Sequence, residues 1–402
     1  MKAILTLVAV VAVGGSSACS SDMTGNGTLL PEAPDINYIV MARITSGASH
    51  SCAISGFGSG LPLGSGFCWG RNDDHQLGDA GTDGGASGES PAVALEPLPI
   101  AGDLIFLRLQ AGGAFTCGLP PVELLAYCWG GGVVGGDQKT PTLVTDQVRF
   151  REISTGEVHV CAIVFVTKGV SCWGENAFGQ LGNGGTTPSS VPILVDGLAV
   201  RDLSSGVMHT CAVTSLGEGI CWGDATSGKL GDGSTGGIEP APVSVTGDLD
   251  LVVISAGRDH SCAVTVDGAA YCWGSNEFGQ LGSLGAGASS ATPIAVDGGH
   301  VFRAISAGWH HTCAVTENNS GYCWGANASG QVGNSEIATS VATPDSVEAD
   351  IVFQAIRAGE YHTCATAGDL GFCWGGNEFG QVGNGTRIAS PTPGRVTGSP
   401  VR

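Results

Sequence analysis

Charged residues are scarce in this chain of 402 residues. Asp, Glu, Lys and Arg make up only 13% of it, and 36 acidic residues outnumber 16 basic ones. The resulting net charge of −20 would repel a phosphate backbone, so we expect no nucleic acid among its partners. A charged fraction this low, in a chain with 67 glycines, suits neither a helical protein nor a disordered one.

No segment is both long and apolar enough for a transmembrane helix, which needs about 20 residues. The stretch Ala3–Val13 covers only eleven. It follows Lys2 and precedes the small residues Gly14–Ala18, an order typical of a cleaved export signal. We therefore predict a signal peptide over residues 1–18 and a flexible tether over residues 19–38.

Motifs of the common catalytic sites are also missing. The sequence has no Gly-x-Ser-x-Gly, no Gly-x-x-x-x-Gly-Lys-[Ser/Thr] and no His-Glu-x-x-His. It offers no paired carboxylates in a recognisable context. We therefore expect no enzyme, no cofactor and no metal centre.

Glycine, at 67 residues, and cysteine, at 15, are by contrast abundant. Seven Cys-Trp-Gly triplets begin at Cys68, Cys128, Cys172, Cys221, Cys272, Cys323 and Cys373. The steps between them are 60, 44, 49, 51, 51 and 50 residues. A period of about fifty indicates a solenoid, a propeller or another array of repeats.

One copy, Leu251–Gly282 with the segment that follows it, shows what a repeat contains. Apolar strands are predicted at Val252–Ser255, His260–Val264 and Ala269–Trp273, and Asp267-Gly268 between the last two is a strong hairpin signal. A fourth strand is predicted to start at Thr292. Four antiparallel strands repeated seven times predict an all-β, seven-bladed propeller. It would span 39–398, with repeats at 39–103, 104–148, 149–199, 200–249, 250–299, 300–349 and 350–398.

The motifs of the sixth copy resemble a known repeat. Ile305-Ser306-Ala307-Gly308-x-x-His311-Thr312 is followed by Tyr322-x-Trp324-Gly325-x-Asn327-x-x-Gly330-Gln331-Val332-Gly333, as in the regulator of chromosome condensation repeat. The resemblance runs from about Ile39 to Val396 and implies a seven-bladed propeller. Copy two departs from it, with Phe115 in place of His and a glycine-rich stretch, Gly131–Gly136, in place of the Asn-x-x-Gly-Gln loop.

Fourteen cysteines form seven couples, each on the two arms of one predicted hairpin. Opposed residues in an antiparallel pair are close enough for a disulfide, and export provides an oxidising compartment. The predicted bonds, one per blade, are Cys52–Cys68, Cys117–Cys128, Cys161–Cys172, Cys211–Cys221, Cys262–Cys272, Cys313–Cys323 and Cys364–Cys373. The remaining cysteine, Cys19, follows Ser17-Ala18 as in a bacterial lipobox, so we predict that it is lipidated, although Ser16 replaces the usual Leu. The alternative is free secretion after cleavage near Ala18.

Histidine and tryptophan recur at fixed repeat positions, and we interpret both as structural. The histidines are His50, His159, His209, His260, His311 and His362. Equivalent positions in different blades lie far apart, whereas metal ligands must meet within about 2 Å of the ion, so each imidazole is predicted to bond a neighbouring turn. The Trp of each Cys-Trp-Gly is predicted to pack between blades, and the Asn of each Asn-x-x-Gly-Gln loop to bond its own backbone.

Closure of the ring requires the last blade to meet the first. The Pro-x-x-Val pattern recurs after the seventh triplet at Pro391–Val396. We expect this strand to complete blade one, in competition with Leu29–Asp35.

Variable residues mark where a partner could bind. In a meander every second connection lies at the same end, so the Gly-x-x-His turns and the Trp-Gly-x-Asn loops should share one end, here called the Gly-x-x-His face. Aromatic and Arg side chains there are typical of binding hot spots. The predicted partner-binding residues are Met208, Arg258, Asp259, Trp309, His310, Glu360 and Tyr361. Phe178, Phe278 and Phe379 are expected on the same face.

These observations favour a non-enzymatic, monomeric propeller that binds another protein through one loop face. We expect it to be exported and either lipid-anchored in a bacterial cell envelope or secreted, with no other membrane attachment. The resemblance raises one alternative, nucleotide exchange on a small GTPase. A glycan-directed enzyme or adhesin is another.

Overall fold

The structure, a computed structural model, describes residues 40–56, 61–79, 92–132, 136–336, 338–348 and 351–398. The predicted signal peptide, Cys19, the tether and Leu29–Asp35 lie outside these residues. Among the described residues, no helix has the length and apolar character to cross a bilayer.

Seven four-stranded antiparallel sheets, each built from consecutive strands, form the blades. Blades one and two contain β1 Met41–Ser46, β2 His50–Ser55, β3 Gly66–Arg71, β4 Val93–Pro99, β5 Arg108–Ala111, β6 Phe115–Leu119, β7 Tyr127–Gly130 and β8 Gln138–Leu143. Blades three and four contain β9 Phe150–Thr155, β10 His159–Val164, β11 Val170–Gly174, β12 Ser189–Val195, β13 Val200–Ser205, β14 His209–Thr214, β15 Gly219–Asp224 and β16 Ile238–Ser244. Blades five to seven contain β17 Leu251–Ala256, β18 His260–Thr265, β19 Ala270–Ser275, β20 Ser289–Ala295, β21 Phe302–Ala307, β22 His311–Thr316, β23 Gly321–Ala326, β24 Ser340–Ser346, β25 Ala355–Ala358, β26 His362–Ala367, β27 Leu370–Gly375 and β28 Ser390–Arg395. The prediction of a seven-bladed propeller is confirmed.

Burial differs between the strands of a blade. The second and third strands, such as β18 and β19, are almost entirely buried because both of their faces pack against neighbouring blades. The first strands alternate: Ile254 is buried between blades, whereas the residues on either side of it line a channel along the axis of the propeller. Seven tryptophans, one per blade, are fully buried, as predicted.

All seven predicted disulfides are present. Each joins directly opposed residues of the second and third strands, such as Cys262 and Cys272, with Cα atoms 4.0–4.1 Å apart. Each therefore staples one hairpin of its own blade rather than linking blades.

The prediction for ring closure was wrong. The strand containing Pro391, β28, pairs with β27 and completes blade seven instead of blade one. The Pro-x-x-Val segment is the fourth strand of its own repeat, so the seventh copy already has its blade. Blades seven and one are joined by contacts between them, including a bond from the Met41 amide to the Asp369 carbonyl at 2.9 Å.

Candidate functional site

The turns between the first and second strands form a closed ring around the axis. Each begins with a glycine: Gly47, Gly112, Gly156, Gly206, Gly257, Gly308 and Gly359. A Cβ atom on any of them would lie 2.2–2.8 Å from the carbonyl oxygen of the next turn's glycine, so a larger residue does not fit. Amides bond the same carbonyls, as Trp309 does with Gly359 at 3.2 Å. This ring fixes the place of the two variable residues that follow each glycine.

Six turns lead into a buried histidine that links its blade to the next. His260 Nε2 lies 2.8 Å from Thr312 Oγ1 of the following blade, and Thr312 donates to the Gln280 carbonyl at 2.9 Å. Trp324 Nε1 donates to that same carbonyl. We call this four-residue arrangement the inter-blade lock. Its histidines are His50, His159, His209, His260, His311 and His362.

The lock defines the state of its histidine. Because the Thr312 hydroxyl gives its hydrogen to a carbonyl, it must accept from His260 Nε2–H. Burial, and to a lesser degree His310, lowers the pKa of His260 to about 3, so the ring is neutral at physiological pH. The structural role predicted for these histidines is confirmed, but the partner is a strand hydroxyl of the next blade and not a turn.

One interface lacks the whole lock. Between blades two and three, Phe115 replaces the histidine and Val160 replaces the hydroxyl residue. The loop that carries the Gln elsewhere also differs in sequence in blade two. Trp173 Nε1 accordingly has no hydrogen-bond partner among the described residues. The Trp173 ring still packs against that of Phe150, with ring centres 5.8 Å apart, as Trp324 packs against Phe302 in blade six. The departures of copy two from the repeat thus coincide at one interface.

The two sets of loops share one end, as expected. The Arg71 amide, in a Trp-Gly-x-Asn loop, donates to the carbonyl of Ser49 in a Gly-x-x-His turn at 2.9 Å. The first variable residue of most turns lines an axial pocket of about 90 Å³, which includes Glu157, Trp309 and Glu360. The second contacts the loops: the His310 ring lies 5.0 Å from that of Phe278.

Three predicted residues from consecutive blades stack together on this face. The Arg258 guanidinium lies 4.6 Å from the Trp309 ring centre, and the Tyr361 ring lies 6.0 Å from the same indole. Cation–π and aromatic contacts of this kind order the three side chains. The Arg258 side chain is still 41% exposed and Tyr361 44%. The cluster is therefore preassembled and accessible.

A buried lysine anchors the fourth predicted residue, Asp259. Lys229 Nζ lies 2.7 Å from Asp224 Oδ2 and 2.9 Å from Asp259 Oδ1. Burial alone would raise the pKa of Asp259, but Lys229 and Arg258 together lower it. Sequence reasoning missed this triad, although Lys229 at a position occupied elsewhere by Gln was a visible signal.

Lys229 also ends a stretch, Gly223–Lys229, that reads Gly-x-x-x-x-Gly-Lys but continues with Leu230. Since the Lys229 ammonium group is buried in two ion pairs and is not free to contact a phosphate, the stretch is not a phosphate-binding loop.

Two carboxylates from opposite sides of the ring meet at the axial pocket. Burial and the nearby Glu157 raise the pKa of Glu360 to about 7, with Arg258 and Arg71 opposing the shift. Burial likewise raises the pKa of Glu157, whose Oε2 is enclosed without a hydrogen-bond partner among the described residues. Glu360 was predicted as a site residue and Glu157 was not, although both occupy the same repeat position.

The other predicted residues are more dispersed. Met208 is half-buried and its sulfur lies 3.9 Å from Gln180 Nε2, away from the stacked cluster. Phe278 is 36% exposed, and Phe379 lies under the Arg71 guanidinium at 5.3 Å. Each loop Asn accepts a backbone amide as predicted; Asn276 Oδ1, for example, bonds Leu281 N at 3.0 Å.

Apolar side chains are also exposed at the opposite end of the propeller. The hairpins between second and third strands carry Leu216 at 84% and Val266 at 68% exposure. Leu216 and Val266 are aliphatic, whereas the Arg258 cluster on the Gly-x-x-His face is held by contacts between aromatic rings and a guanidinium in the part of the chain described. Within the same residues, no group of three or more His, Cys, Asp or Glu is arranged to hold a metal ion.

Comparison with known proteins identifies the family. The family model described as RCC1-like domain matches residues 28–400. The chain belongs to the RCC1-like domain family. Its propeller is similar to the ultraviolet-B receptor UVR8 of Arabidopsis thaliana, with 31% identity over 306 residues, or 72% of this chain and 66% of UVR8. It is also 31% identical over 163 residues to mouse E3 ubiquitin-protein ligase HERC2, which is 39% of this chain and 3% of that protein. The RCC1-like chain thus spans less than two thirds of either relative.

Solved structures agree on the fold. Human WBSCR16 superposes with a TM-score of 0.74 at 21% identity, covering 84% of this chain and 95% of that one. Yeast RCC1 (Prp20), solved with Kap60 bound, gives a TM-score of 0.70 at 18% identity, covering 96% and 91%. A structure of Prp20p from Saccharomyces cerevisiae, described with its binding properties to Gsp1p and histones, gives 0.71 at 20% identity, covering 90% and 89%. At these identities the likeness shows the fold alone.

Proposed function

We propose that this RCC1-like propeller is a non-enzymatic binding protein that recognises another protein with its Gly-x-x-His face. The contacting residues would be Met208, Arg258, Asp259, Trp309, His310, Glu360 and Tyr361. The proposal includes export and, through Cys19, lipid anchoring in a cell envelope.

The stacked cluster of Arg258, Trp309 and Tyr361 carries this proposal. None of the three is required by the repeat, since the other blades have unrelated residues at the same positions. Arg, Trp and Tyr are the side chains most enriched among interface hot spots, and their order before binding lowers the entropic cost of association. The ion pair with Lys229 holds Asp259 beside this cluster, so the face presents both apolar and charged groups in fixed positions.

Relatives support a protein partner in general and no particular one. Yeast RCC1 (Prp20) binds Kap60, and Prp20p is described as binding Gsp1p and histones. Seven disulfides support folding in an oxidising compartment. Lipid attachment can be tested by labelling with a fatty-acid analogue, which Cys19→Ala should abolish. Equal labelling of that variant would contradict the anchor.

The binding face can be tested with paired variants at the two ends of the propeller. Trp309→Ala/Tyr361→Ala removes two aromatic anchors from the Gly-x-x-His face. The matched control Leu216→Ala/Val266→Ala removes two side chains from the opposite end that are exposed to a greater extent than Tyr361. For a partner purified from the native cell envelope, we expect the first pair to weaken binding at least about 30-fold, since one hot spot is worth about 2 kcal/mol, and the control to leave it unchanged. The reverse pattern would place the site at the other end.

The alternatives predict other results. A nucleotide-exchange factor would accelerate nucleotide release from a small GTPase, and a glycan-directed enzyme would score in a hydrolase screen. If either assay detects activity, and that activity is kept in Trp309→Ala/Tyr361→Ala but lost when a residue inside the propeller is changed, the alternative function would be favoured over the present proposal.

A further inference from the structure

The channel along the axis holds an unusual share of the few basic residues. It has a volume of about 360 Å³ and is lined by the first strands of all seven blades. Arg43, Arg108 and Arg357, three of the 16 basic residues of the chain, line it together with two acids, Glu152 and Asp202. In a protein of net charge −20, this channel carries a surplus of positive charge.

The basic and the acidic residues of the channel come from different sets of adjacent blades. Arg357, Arg43 and Arg108 belong to the adjacent blades seven, one and two, and the acids belong to blades three and four. At the boundary, Arg108 Nε bonds both oxygens of Glu152 at 3.0 and 3.1 Å. Asp202 accepts the Ile254 amide at 2.8 Å. Each acid thus has a hydrogen-bond partner other than Arg43 and Arg357.

Two guanidinium groups, those of Arg43 and Arg357, are left without a carboxylate. Among the described residues neither forms an ion pair, and Arg357 donates only to the neighbouring Ile356 carbonyl. Burial lowers the pKa of Arg43, and Arg108 and Arg357 lower it further against the opposing effect of Glu152. Burial lowers the pKa of Arg357 as well, against the attraction of Asp202 and Glu152, yet neither acid forms an ion pair with it among the described residues.

Arg357 also breaks a structural pattern. At the same repeat position, blades three to six have Ser154, Ser204, Ser255 and Ser306, and each hydroxyl accepts a backbone amide of the next blade at 2.8–3.0 Å. Blade seven gives up this hydroxyl for a guanidinium. Ser306, which also lines the channel, accepts the amide of Ala358, the residue after Arg357, at 3.0 Å. Since the oxygen of Ser306 is the acceptor in that bond, its hydrogen remains available to donate.

We propose that the axial channel binds a small oxyanion between the guanidinium groups of Arg43 and Arg357, with the Ser306 hydroxyl as a third donor. Guanidinium forks match the paired oxygens of carboxylate, phosphate and sulfate groups. The anion supplies the missing counterion on the side of blades seven and one. The channel adjoins the axial pocket of the Gly-x-x-His face and shares lining residues such as Ser46 and Ala358 with it, but none of the predicted partner-binding residues lines the channel.

Titration of the purified, disulfide-intact protein with inorganic phosphate, sulfate or acetate tests the proposal, with sodium chloride holding the ionic strength constant. Calorimetry should show saturable binding of at least one anion, and the tightest shows whether a tetrahedral or a planar group is preferred. Arg357→Ser installs the residue of four other blades and should weaken binding at least about tenfold, as should Arg43→Gln. Lys139→Gln, an equal charge loss on an exposed outer strand, should leave affinity unchanged.

Stability separates binding from a merely structural role. Without anion, Arg357→Ser should melt at the same temperature as the parent chain or higher, because it relieves repulsion and restores a repeat residue. The parent chain alone should gain stability from the anion. Absence of saturable binding, or equal affinity in the parent and Arg357→Ser, would overturn the proposal.

Discussion

The inter-blade lock can be tested at Thr312, where a single hydroxyl bonds both His260 and the Gln280 carbonyl. Thr312→Val keeps the shape of the side chain but removes the acceptor for His260 Nε2–H and a donor to the Gln280 carbonyl. A net hydrogen bond is worth about 1 kcal/mol, and a buried donor left unpaired costs about 1–3 kcal/mol. The Gln280 carbonyl keeps its bond from Trp324. We therefore expect the free energy of unfolding to fall by about 2–3 kcal/mol.

The interface between blades two and three suggests the decisive companion variant. There Phe115 and Val160 replace the histidine and the hydroxyl together. His260→Phe/Thr312→Val reproduces that pair and leaves no unpaired imidazole donor. We expect the double variant to be about 1–2 kcal/mol more stable than the sum of the single effects predicts, since the two residues are in direct contact.

Guanidinium denaturation with the disulfides intact measures these effects as shifts of the midpoint at an unchanged slope. If Thr312→Val lies within about 0.5 kcal/mol of the parent chain, or if the single effects simply add, the lock does not stabilise the ring as argued.

Three further predictions concern other parts of the molecule. Lys229→Gln should lower the melting temperature because Asp224 and Asp259 lose their ion pairs, whereas an unchanged value would show that the triad is dispensable. The pKa of Glu360 is raised from 4.5 to about 7, so the folded state binds the Glu360 proton more tightly than the unfolded state does. The stability that this protonation contributes is present below about pH 4.5 and is lost as the pH rises through 7. Glu360→Gln should flatten this part of the curve of stability against pH. Alkylation should label none of the fourteen paired cysteines before reduction and all of them after it. The reduced protein should melt at a lower temperature than the oxidised one, because each disulfide closes a loop that contributes about 3 kcal/mol. Free thiols in the native protein would contradict this.

The sequence predicts the blades because their determinants are local. Apolar alternation, a Gly turn and two cysteines about ten residues apart define a hairpin such as β18 and β19 without reference to the rest of the chain. Ring closure depends instead on which sheet a strand joins, and the repeat pattern at Pro391 leaves both neighbouring blades open. The structure decides it by placing β28 beside β27.

Contacts between blades could not be predicted from the sequence either, because they too depend on how the blades assemble into a ring. Lys229 and Asp259 are 30 residues apart, and Glu157 and Glu360 come from blades three and seven. Repeat alignment shows that these residues share or neighbour variable positions. Only the closed ring shows that they face one another, and therefore that their charges interact.

Site-specific photo-crosslinking tests the binding face most directly. A photoreactive residue placed at Tyr361 should capture one envelope protein, and the same residue at Leu216, on the opposite end, should capture none of it. The crosslink should disappear with excess unmodified protein and in the Trp309→Ala background. Capture of the same protein from Leu216 and not from Tyr361 would contradict the assignment of the Gly-x-x-His face.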